Sequence, residues 1–579
     1  MAKYTKPTPA ALLTDFYKVC HKAFFNPHTE QLVAYWTPRK SRLEHINYVV
    51  MFWLQALIKI YLIDRFDDTF FSRPWEEVYK EYVDYVSATF DSGFAEGEAE
   101  ALHEIHKLGY LPIEIRAIPE GTRVPIGCPM IEFRCTDKCA FWLPEYLETI
   151  CSCNLWPAMT DATIADVNRR ELDKWYDKTV DNNVPHSMGA GDFSMRGMFG
   201  EYAAVMADAG HLLSFGSTAT VPTGWWLHNM YQADISVGKG LPSLEHSVWE
   251  SWGEENELEA FRHMLVNVRP KGALSMVSDT WNLWRVLEDY MPKLKDIIMG
   301  RDGKVVIRPD SGNPADILCG TDMFYVDIKA DNINDKASVE AAARRYIVET
   351  AARGNDKDRH DRCDFRFQYG KWIVTGHGTV ERDPASPVCG QVNNVAVQVR
   401  EKTVEEMGVI EALWNVFGGQ VNSKGYKVLD PHVGAIYGDA ITYDRLKEIF
   451  SRLAAKGFAS NNVVMGFGSY TYQYVTRDTF GFALKVTHGI IDGKEVAMFK
   501  DPITDRGSHS AGKKSQRGMC VVHKNGEGNN PATLSYTDGH TMAEADGDTA
   551  NNLRLVFRNG ELFIDEDFET IRKRLHPNF

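Results

Sequence analysis

The segment VVIRPDSGNP (Val305–Pro314) places an arginine and an aspartate where an apolar run ends in a turn. Arg308 offers a planar fork that can hold a phosphate or a carbonyl oxygen. Asp310 can accept from hydroxyl groups or help to hold a hydrated cation. A salt-bridged strand end before a Gly/Asn turn accounts for the same residues equally well. The motif alone therefore leaves phosphate chemistry and a structural role both open.

The histidine of LPSLEHSV (Leu241–Val248) is a second candidate. Glu245 and Ser247 flank His246, and another apolar run ends at Asp279, so a carboxylate could orient this imidazole. A single histidine is more often a buried structural residue than a reactive group. The order Glu-His-Ser does not by itself define a hydrolase triad, which is recognised by its geometry.

An aromatic residue and an arginine lie three positions apart in GDFSMRG (Gly191–Gly197). Residues at this spacing share one face of a helix or turn. Phe193 could therefore stack on a flat ring while Arg196 holds a substituent of that ring. A core phenylalanine beside a surface arginine is the more common arrangement.

A glycine-containing turn in the C-terminal part of the chain suggests a phosphate site. Gly466–Ser469 is followed by Arg477 and Lys485, and the N–H groups of such a loop can bind phosphate with the help of cations. Lys500 lies in a second basic cluster, which a solvated tail explains as well. Two glycines in a loop are a weak signal.

Alternating strands and helices must position these residues. From about residue 185, an apolar strand pattern, a short polar loop and a helical pattern recur. The predicted elements here are strands at 273–277, 305–308, 432–437 and 462–465, and helices at 281–299 and after residue 440. Such alternation predicts a parallel sheet or barrel, in which ligands bind at the carboxyl ends of the strands. The polar candidates fall at those ends.

The rest of the chain mixes helix and strand patterns. We predict an amphipathic helix at 48–63, which is too polar to span a membrane, a strand at 110–117 and an apolar helix at 140–156. Residues 318–405 are predicted to form an insertion. It contains a charged helix that ends at Gly354, a charge run at 355–364 and a strand at 365–374, after which Pro384 and Pro387 interrupt the chain.

Composition excludes several classes of function. The 579 residues include 64 basic and 79 acidic side chains, a net charge of −15, whereas nucleic-acid binding needs an excess of Lys and Arg. The 10 cysteines lack the spacing of a zinc site, and we expect reduced thiols in a cytoplasmic protein. The N-terminus lacks the apolar stretch of a secretory signal. The length predicts two or three domains.

Taken together, the motifs closely resemble those of the nicotinamide phosphoribosyltransferases, a family of type II phosphoribosyltransferases. The matching segments before residue 220 are TDFYKVCH (Thr14–His21), LPIEIRAIPEG (Leu111–Gly121), DFSMRG (Asp192–Gly197) and GHLLSF (Gly210–Phe215). The later ones are LEHS (Leu244–Ser247), SMVSD (Ser275–Asp279), IRPDSGNP (Ile307–Pro314), SKGYKVL (Ser423–Leu429), TRD (Thr476–Asp478) and FKDP (Phe499–Pro502). They follow the family order and cover the chain except for the insertion.

The resemblance implies a fold and a reaction. The implied fold is an irregular α/β barrel at 146–478, which holds the insertion, and a second α/β domain built from both chain ends at 1–145 and 479–579. The implied enzyme is a homodimer with shared active sites. It joins nicotinamide to 5-phosphoribosyl 1-pyrophosphate and gives nicotinamide mononucleotide and pyrophosphate in NAD salvage. Mg²⁺ is the implied cofactor, and ATP is an optional co-substrate that drives the reaction through a phosphohistidine.

The resemblance also implies a role for individual residues. The pyridine site would contain Phe193, Arg196, Asp15, Ser275 and the position of Ala219, with Tyr17 of the partner subunit against the ring. The catalytic set would be His246 as the phosphorylated histidine, Glu245 and Asp279 as its orienting groups, Arg308 on polar groups of the substrate, and Asp310 on the ribose hydroxyls. The phosphate and ribose set would be Arg39, Gly438, Asp439, Gly468, Ser469, Arg477, Lys485 and Lys500, of which several reach across the dimer.

Three positions depart from the family pattern. The family carries GTDT, whose aspartate bonds the nicotinamide amide, where this chain has GSTAT with Ala219. Gly240 stands in place of an expected serine, and the phosphate loop reads Gly468-Ser469-Tyr470 in place of three glycines. Two changes of substrate therefore stay open, namely nicotinic acid as the acceptor or ADP-ribose pyrophosphate as a donor that gives NAD directly. A third alternative is a catalytically silent homologue that binds dinucleotides, although such a protein has no physical reason to keep its charged strand ends.

Overall fold

The computed structural model describes residues 6–352, 362–382, 390–438, 440–501 and 515–579. Most of the predicted charge run at 355–364 lies outside these residues, as do Pro384, Pro387, Asp439 and Pro502. The described chain divides into two compact units. Unit 1 consists of Met1–Arg170, Asp192–Gly240 and Gly468–Phe579, and unit 2 consists of Glu171–Gly191 and Leu241–Phe467. The domain boundaries expected from the sequence stay a prediction.

Unit 1 is organised around an antiparallel sheet of seven strands. Their order is Lys494–Ala497, Phe482–Ile491, Thr29–Pro38, Ile131–Cys135, Ile113–Ala117, Arg554–Arg558 and Glu561–Leu562. Two further strand pairs are Tyr48–Val50 with Arg123–Pro125, and Met519–Lys524 with Leu534–His540. The sheet strand predicted at 110–117 is confirmed by Ile113–Ala117, which is buried along most of its length.

Unit 1 also contains helices, several of which share a hydrophobic core with the sheet. They are Phe16–Val19, His21–Phe24, Leu54–Leu57, Trp75–Thr89, Ser92–Leu108, Leu143–Tyr146, the start of Glu148–Thr179, Glu201–Leu212, Val221–Tyr231, Ser469–Tyr472, Met542–Gly547 and Phe568–Leu575. Leu54–Leu57 continues as the π-helix Ile58–Arg65. In the core, the ring of Trp36 stacks on that of Phe482 at 5.3 Å between centroids. Burial of such large rings supplies much of the favourable free energy of folding.

The fully buried carboxylate of Asp166 is the centre of a polar network in unit 1. Arg123 donates to both of its oxygens, at 2.7 and 2.6 Å, and the hydroxyl of Tyr48 donates at 2.5 Å. His576 Nε2 lies 3.1 Å from Oδ1. Burial alone would raise the pKa of Asp166, but the hydrogen bonds and charges of Arg123 and His576 outweigh burial and hold it well below its ordinary value.

We expect Asp166→Asn to lower the free energy of unfolding by about 3–5 kcal/mol, because it leaves the Arg123 guanidinium buried without its partner. Urea denaturation measures this loss. The matched control is Glu104→Gln, which breaks the exposed pair with Lys107 and is expected to cost less than about 1 kcal/mol.

The Asp166 network also predicts a pH dependence. A carboxyl whose pKa is lower in the folded state stabilises the fold above its unfolded pKa of about 3.9. This stabilisation is lost as the pH falls through that value towards the folded pKa. The wild type should therefore lose more stability between about pH 5 and pH 3 than Asp166→Asn does. Parallel losses in the two proteins would contradict this account.

Unit 2 contains a parallel sheet, as the alternating pattern predicts. Its strands follow the order Ala190–Asp192, Val463–Phe467, Val433–Tyr437, Val305–Arg308 and Leu274–Val277. The last four pair in parallel. Their near-continuous apolar sequences are typical of strands that are covered on both faces. The strands predicted at 273–277, 305–308, 432–437 and 462–465 are thus confirmed to within two residues at each end.

Helices connect the strands of this sheet. They are His246–Glu250, Glu257–His263, Leu283–Arg285, Met291–Met299, Pro314–Cys319, Lys336–Ala352, Val404–Phe417 and Tyr443–Ala455, with π-helices at Met264–Val268 and Val286–Tyr290. Asn313 caps Pro314–Cys319 by accepting from the N–H of Ala315, and proline is favoured at the first position of a helix. Thr442 caps Tyr443–Ala455 in the same way. The mixed α/β class and the parallel sheet that the sequence predicts are both confirmed.

The segment that the sequence predicts to be an insertion has its own small core. A three-stranded antiparallel sheet of Arg362–Tyr369, Trp372–Arg382 and Gly390–Glu401 packs on the helix Lys336–Ala352. At its base the backbones of Gly320 and Gly408 touch, since a Cβ on Gly408 would lie 2.2 Å from Gly320 N. Both glycines have positive φ, 79° and 77°. The ammonium group of Lys456 donates to the carbonyls of Cys319 and Met407 at 2.6 and 2.7 Å. The helices Pro314–Cys319 and Val404–Phe417, which flank this segment in the chain, are therefore held together.

Three local predictions need correction. Residues 48–63 do not form one helix, because Tyr48–Val50 is a strand and Trp53, with φ of 76°, precedes the helix. The strand predicted at 365–374 is a hairpin that turns between Tyr369 and Trp372. The helix predicted at 140–156 is confirmed from Leu143, but a break at Leu147 is followed by a helix that continues to Thr179. Its later turns bury polar residues, so that no apolar pattern marks them.

Every helix in the described parts of the chain is too short or too polar to cross a lipid bilayer.

Candidate active site

The carboxyl ends of two neighbouring strands bring the acidic candidates of unit 2 together. Val277 pairs in parallel with Arg308, so the residues after both strands leave the same edge of the sheet. The N–H of Ser278 donates to the carbonyl of Arg308 at 3.0 Å. The turn that follows each strand then presents Asp279 and Asp310 side by side.

A hydrogen bond fixes these two aspartates relative to each other. The N–H of Asp310 donates to Asp279 Oδ2 at 2.8 Å, and the hydroxyl of Ser311 donates to the same oxygen at 2.6 Å. The other oxygen, Asp279 Oδ1, is buried and has no hydrogen-bond partner. A buried carboxylate oxygen without a donor costs free energy unless a ligand satisfies it.

The imidazole of His246 faces both carboxylates. Its Nε2 lies 4.0 Å from Asp279 Oδ1 and 3.8 Å from Asp310 Oδ2. Its Nδ1 lies 3.0 Å from the hydroxyl of Thr280, which fixes the orientation of the ring. The side chain of His246 is 38% exposed, so a substrate can reach it. The carboxylate of Glu245 accepts from the hydroxyl of Ser247 at 2.6 Å, and its role in orienting the ring stays a prediction.

Hydrogen bonds to main-chain carbonyls hold the segment around His246, residues 244–249, along the strand Leu274–Val277. The N–H of Leu244 donates to the carbonyl of Ser275 at 3.0 Å. The indole N–H of Trp249 donates to the carbonyl of Val277 at 2.6 Å. These bonds anchor both sides of His246, and therefore the short helix His246–Glu250 has a fixed start.

The guanidinium of Arg308 bridges the histidine segment and Asp310. Nη2 donates to the carbonyl of Leu244 at 2.7 Å, and Nη1 lies 3.3 Å from Asp310 Oδ2. Nε is buried and has no hydrogen-bond partner. A planar fork in this position can donate to an oxygen of a substrate.

The remaining predicted residues of unit 2 lie on the same sheet. Ser275 is buried on its strand, and its hydroxyl has no hydrogen-bond partner. Gly438 directly follows the strand Val433–Tyr437 and is half-buried. Asp439 lies outside the described residues, so its predicted role in ribose binding stays a prediction.

In unit 1, the aromatic and arginine candidates follow a buried aspartate. Phe193 is half-buried, and Arg196 is exposed on the turn Met195–Gly197. The N–H of Ala219 donates to the carbonyl of Asp192 at 2.9 Å. The hydroxyl of Thr220 donates to Asp192 Oδ2 at 2.7 Å. Phe193 and Ala219 are thus held as neighbours through Asp192.

Tyr17 and Asp15 lie at the start of the chain in unit 1. Tyr17 is 53% exposed on the helix Phe16–Val19. Asp15 accepts from the hydroxyl of Thr149 at 2.7 Å. Next to Tyr17, the buried ammonium of Lys18 pairs with Glu145 and Glu148 at 2.8 and 2.5 Å. These contacts fix the backbone beneath Tyr17 and leave its ring accessible.

Arg39 and Arg477 are close enough to repel each other. Burial lowers the pKa of Arg39, and the positive charge of Arg477 lowers it further. Arg39 Nε donates to the carbonyl of Gly481 at 3.0 Å. Two neighbouring cations gain most from binding a multiply charged anion, as phosphate groups are.

The other phosphate candidates of unit 1 differ in their surroundings. Lys485 is half-buried, with Nζ 3.7 Å from Glu148 Oε1, whereas Lys500 is exposed. Gly468 and Ser469 start the short helix Ser469–Tyr472. A Cβ on Gly197 would lie 2.1 Å from Ser469 Oγ, so this loop packs directly against the Met195–Gly197 turn.

His246, Asp279, Arg308 and Asp310 form a cluster at the strand ends, which we call the unit 2 cluster. Sequence reasoning missed two partners of these residues. Thr280 orients His246, and the carbonyl of Leu244 binds Arg308. Thr280 directly follows Asp279, and this position just after a strand end is the one feature of the sequence that could have marked it as a site residue. A backbone carbonyl has no sequence signature.

The sequence pattern of the nicotinate phosphoribosyltransferase (NAPRTase) family matches residues 189–346 and 377–561. These ranges make up more than half of the chain and contain most of the predicted site residues. The chain belongs to the nicotinate phosphoribosyltransferase family. The resemblance to phosphoribosyltransferases that the motifs indicate is thereby confirmed.

Curated relatives support this membership over nearly the full length, and a solved structure has a similar fold. The nicotinamide phosphoribosyltransferase of Acinetobacter baylyi is 35% identical, with 97% of this chain and 96% of that protein covered. The nicotinamide phosphoribosyltransferase of Xanthomonas campestris pv. campestris is 28% identical, with 97% of each covered. The crystal structure of nicotinate-nucleotide pyrophosphorylase from Pyrococcus furiosus matches with a TM-score of 0.50 at 13% identity, covering 99% of this chain and 97% of that one. This last likeness concerns the fold.

Proposed function

We propose that this member of the family transfers the phosphoribosyl group of 5-phosphoribosyl 1-pyrophosphate to nicotinamide. The products are nicotinamide mononucleotide and pyrophosphate, and the reaction serves NAD salvage. The observation that carries this proposal is the cluster of His246, Asp279, Arg308 and Asp310 at the strand ends, within a chain whose full-length relatives are named nicotinamide phosphoribosyltransferases.

The reaction needs positioning and electrostatics. The pyridine nitrogen attacks the anomeric carbon with its free lone pair, so no general base is required. Positive charge grows on the sugar and negative charge on the departing pyrophosphate. Fixed charges aimed at these atoms lower the barrier. Asp310, held by Arg308 at 3.3 Å, would bind the ribose hydroxyls beside the developing positive charge.

The acceptor would be held in unit 1. Phe193 would stack on the pyridine ring, and Arg196 would contact its polar substituent, as the spacing of the two residues in GDFSMRG suggests. The exposed arginines and lysines of unit 1, among them Arg477 and Lys500, would bind phosphate groups. Cations in these positions would offset the charge of the pyrophosphate.

The carboxylates of unit 2 fit a magnesium ion. Asp279 Oδ1 is buried without a hydrogen-bond partner, and Mg²⁺ prefers oxygen ligands, typically one or two carboxylates with substrate phosphates. No group of three or more side-chain ligands occurs among the described residues, so substrate oxygens and water would complete the coordination. Asp279 and Asp310 would hold the ion, which would neutralise negative charge on the pyrophosphate.

ATP coupling and dimer formation are further parts of the proposal. With Thr280 on Nδ1, Nε2 of His246 would be the nitrogen that accepts a phosphoryl group from ATP.

The exposed aromatic residues Phe16, Tyr17, Phe24 and Phe90 support a homodimer, since clustered apolar side chains on a surface favour association. We also expect a cytoplasmic location, where NAD salvage takes place.

The donor is tested by incubating the enzyme with Mg²⁺, nicotinamide and either 5-phosphoribosyl 1-pyrophosphate or ADP-ribose pyrophosphate. Mass spectrometry should detect nicotinamide mononucleotide from the first donor and no NAD from the second. NAD as the main product would assign the larger donor. No product from either would favour the silent homologue.

Phe193→Ala should raise the KM for nicotinamide roughly 5- to 150-fold, because stacking of a base on an aromatic ring contributes about 1–3 kcal/mol. Initial rates at varied nicotinamide concentration measure the change. The matched control is Phe199→Ala, since Phe199 is 86% exposed in the same segment and should leave KM unchanged. Equal effects of the two substitutions would remove Phe193 from the acceptor site.

A further inference from the structure

Three buried carboxyl groups lie together behind Ala219 in unit 1. Asp161, Asp192 and Asp208 are 2%, 0% and 0% exposed. They come from the helix Glu148–Thr179, the end of the strand Ala190–Asp192 and the helix Glu201–Leu212. Gly210 permits this arrangement, because a Cβ there would lie 2.7 Å from the backbone nitrogen of Ala162. The two helices therefore touch at this point.

Asp192 is the carboxyl of the three for which the structure gives close donors to both oxygens. Asp192 Oδ1 accepts from the N–H of Ser194 at 3.2 Å, and Oδ2 accepts from the hydroxyl of Thr220 at 2.7 Å. Both oxygens of Asp208 and one oxygen of Asp161 have no hydrogen-bond partner. A buried carboxyl without donors stays protonated, whereas one with donors can ionise.

The pKa values agree with this geometry. Burial raises the pKa of Asp161 and of Asp208 well above the ordinary range, and the neighbouring charge of Asp192 raises both further. Burial also raises the pKa of Asp192, but hydrogen bonds from Thr220 and Ser194 limit the rise to about 6. The donors and the directions of the three pKa shifts together favour Asp192 as the group that ionises first. No salt bridge to these three groups occurs among the residues that the structure describes.

This charge lies directly behind the acceptor residues. Asp192 is adjacent to Phe193 in the chain, and its carbonyl binds the N–H of Ala219. Ala219 is exposed and carries only a methyl group, so no side chain screens the surface at that point. A charge in a low-dielectric interior acts over several ångströms because little water screens it.

We infer that Asp192 supplies the negative charge that makes the acceptor site select the neutral amide of nicotinamide over the carboxylate of nicotinic acid, in a chain where Ala219 supplies none. This inference rests on the proposed function, because it concerns the same acceptor site. Asp208 and Asp161 assist by remaining protonated, which leaves the charge on Asp192, the residue next to Phe193 in the chain. Selectivity then comes from repulsion of the wrong substrate.

The test compares dissociation constants of nicotinamide and nicotinic acid for the full-length protein by calorimetry at pH 7.5, together with kcat/KM for both. The wild type should favour nicotinamide. Asp192→Asn should narrow the preference at least about tenfold, mainly by tighter binding of nicotinic acid. Asp192→Ser is a second, smaller neutral substitution, to be used if the asparagine variant does not fold.

Further variants separate the effect of the Asp192 charge from the effect of a changed side-chain shape. Asp208→Asn replaces one neutral group by another at a contacting position and should change the preference less than about threefold. Thr220→Val removes a hydrogen bond that favours the ionised form of Asp192, so it should narrow the preference in the same direction as Asp192→Asn, but by less. Ala219→Asp in the Asp192→Asn protein restores a carboxylate near the pocket and should widen the preference again.

The outcomes distinguish this inference from the proposed function. An unchanged preference in both Asp192 variants overturns the inference, and so does a wild type that binds nicotinic acid as well as nicotinamide. The wild type could bind nicotinamide selectively, lose this selectivity in Asp192→Asn, and yet form no mononucleotide. That result supports the inference and overturns the proposed function. Binding of neither pyridine overturns both.

Discussion

Arg308→Ala is expected to lower kcat/KM for nicotinamide mononucleotide formation about a hundredfold to a thousandfold, the usual loss when one charged donor is removed from a transition state. The guanidinium contacts the carbonyl of Leu244 and Asp310 Oδ2. Its removal therefore takes away a substrate contact and also frees the carboxylate that we assign to the ribose. Initial rates at varied donor concentration measure the loss.

Two variants accompany this experiment. Arg308→Lys keeps the positive charge but cannot form both contacts at once, so its activity should lie between those of the wild type and the alanine variant. Arg285→Ala removes a half-exposed arginine of unit 2 whose partner is Glu254 at 3.9 Å, and it should leave kcat/KM unchanged. A loss of less than about threefold in Arg308→Ala would contradict the assigned role.

His246→Ala is expected to abolish ATP hydrolysis while some ATP-independent product formation remains. The imidazole would accept the phosphoryl group of ATP on Nε2. The glycosyl transfer itself needs no proton acceptor, so it can proceed without this histidine. Release of ADP, measured with and without the pyridine substrate, checks the first part. Product formation without ATP, at high substrate concentration, checks the second.

The control for this prediction is His432→Ala. His432 also pairs with an aspartate, Asp430 at 2.7 Å, but it lies before the strand Val433–Tyr437 and thus at the other edge of the sheet from the site. Its removal should leave ATP hydrolysis intact. Hydrolysis at the wild-type rate in His246→Ala would rule out the phosphohistidine.

The elements that hold the unit 2 cluster could be predicted from the sequence. Val305–Arg308 consists of three apolar residues and an arginine before a proline, and its bounds in the structure are those predicted. Because parallel strands present their carboxyl ends at one edge, the proximity of Asp279 and Asp310 also follows from pattern alone. The neighbours of His246 made it a candidate, and only the motif resemblance implied a specific role for it.

The buried polar parts of the molecule could not be predicted in this way. Asp161 and Asp166 lie on a helix that buries polar and apolar residues side by side, so hydrophobic periodicity does not reveal its length. The grouping of Asp161, Asp192 and Asp208 depends on a close contact between two helices at Gly210. Such tertiary contacts have no local signal, and the same holds for the Thr280 contact to His246.

The most direct test of the central claim is a competition between acceptors. The enzyme is incubated with Mg²⁺, 5-phosphoribosyl 1-pyrophosphate and equal concentrations of nicotinamide and nicotinic acid, and the products formed at early times are identified by mass. The account predicts nicotinamide mononucleotide as the main product. Nicotinic acid mononucleotide as the main product, or the absence of both mononucleotides, would contradict it.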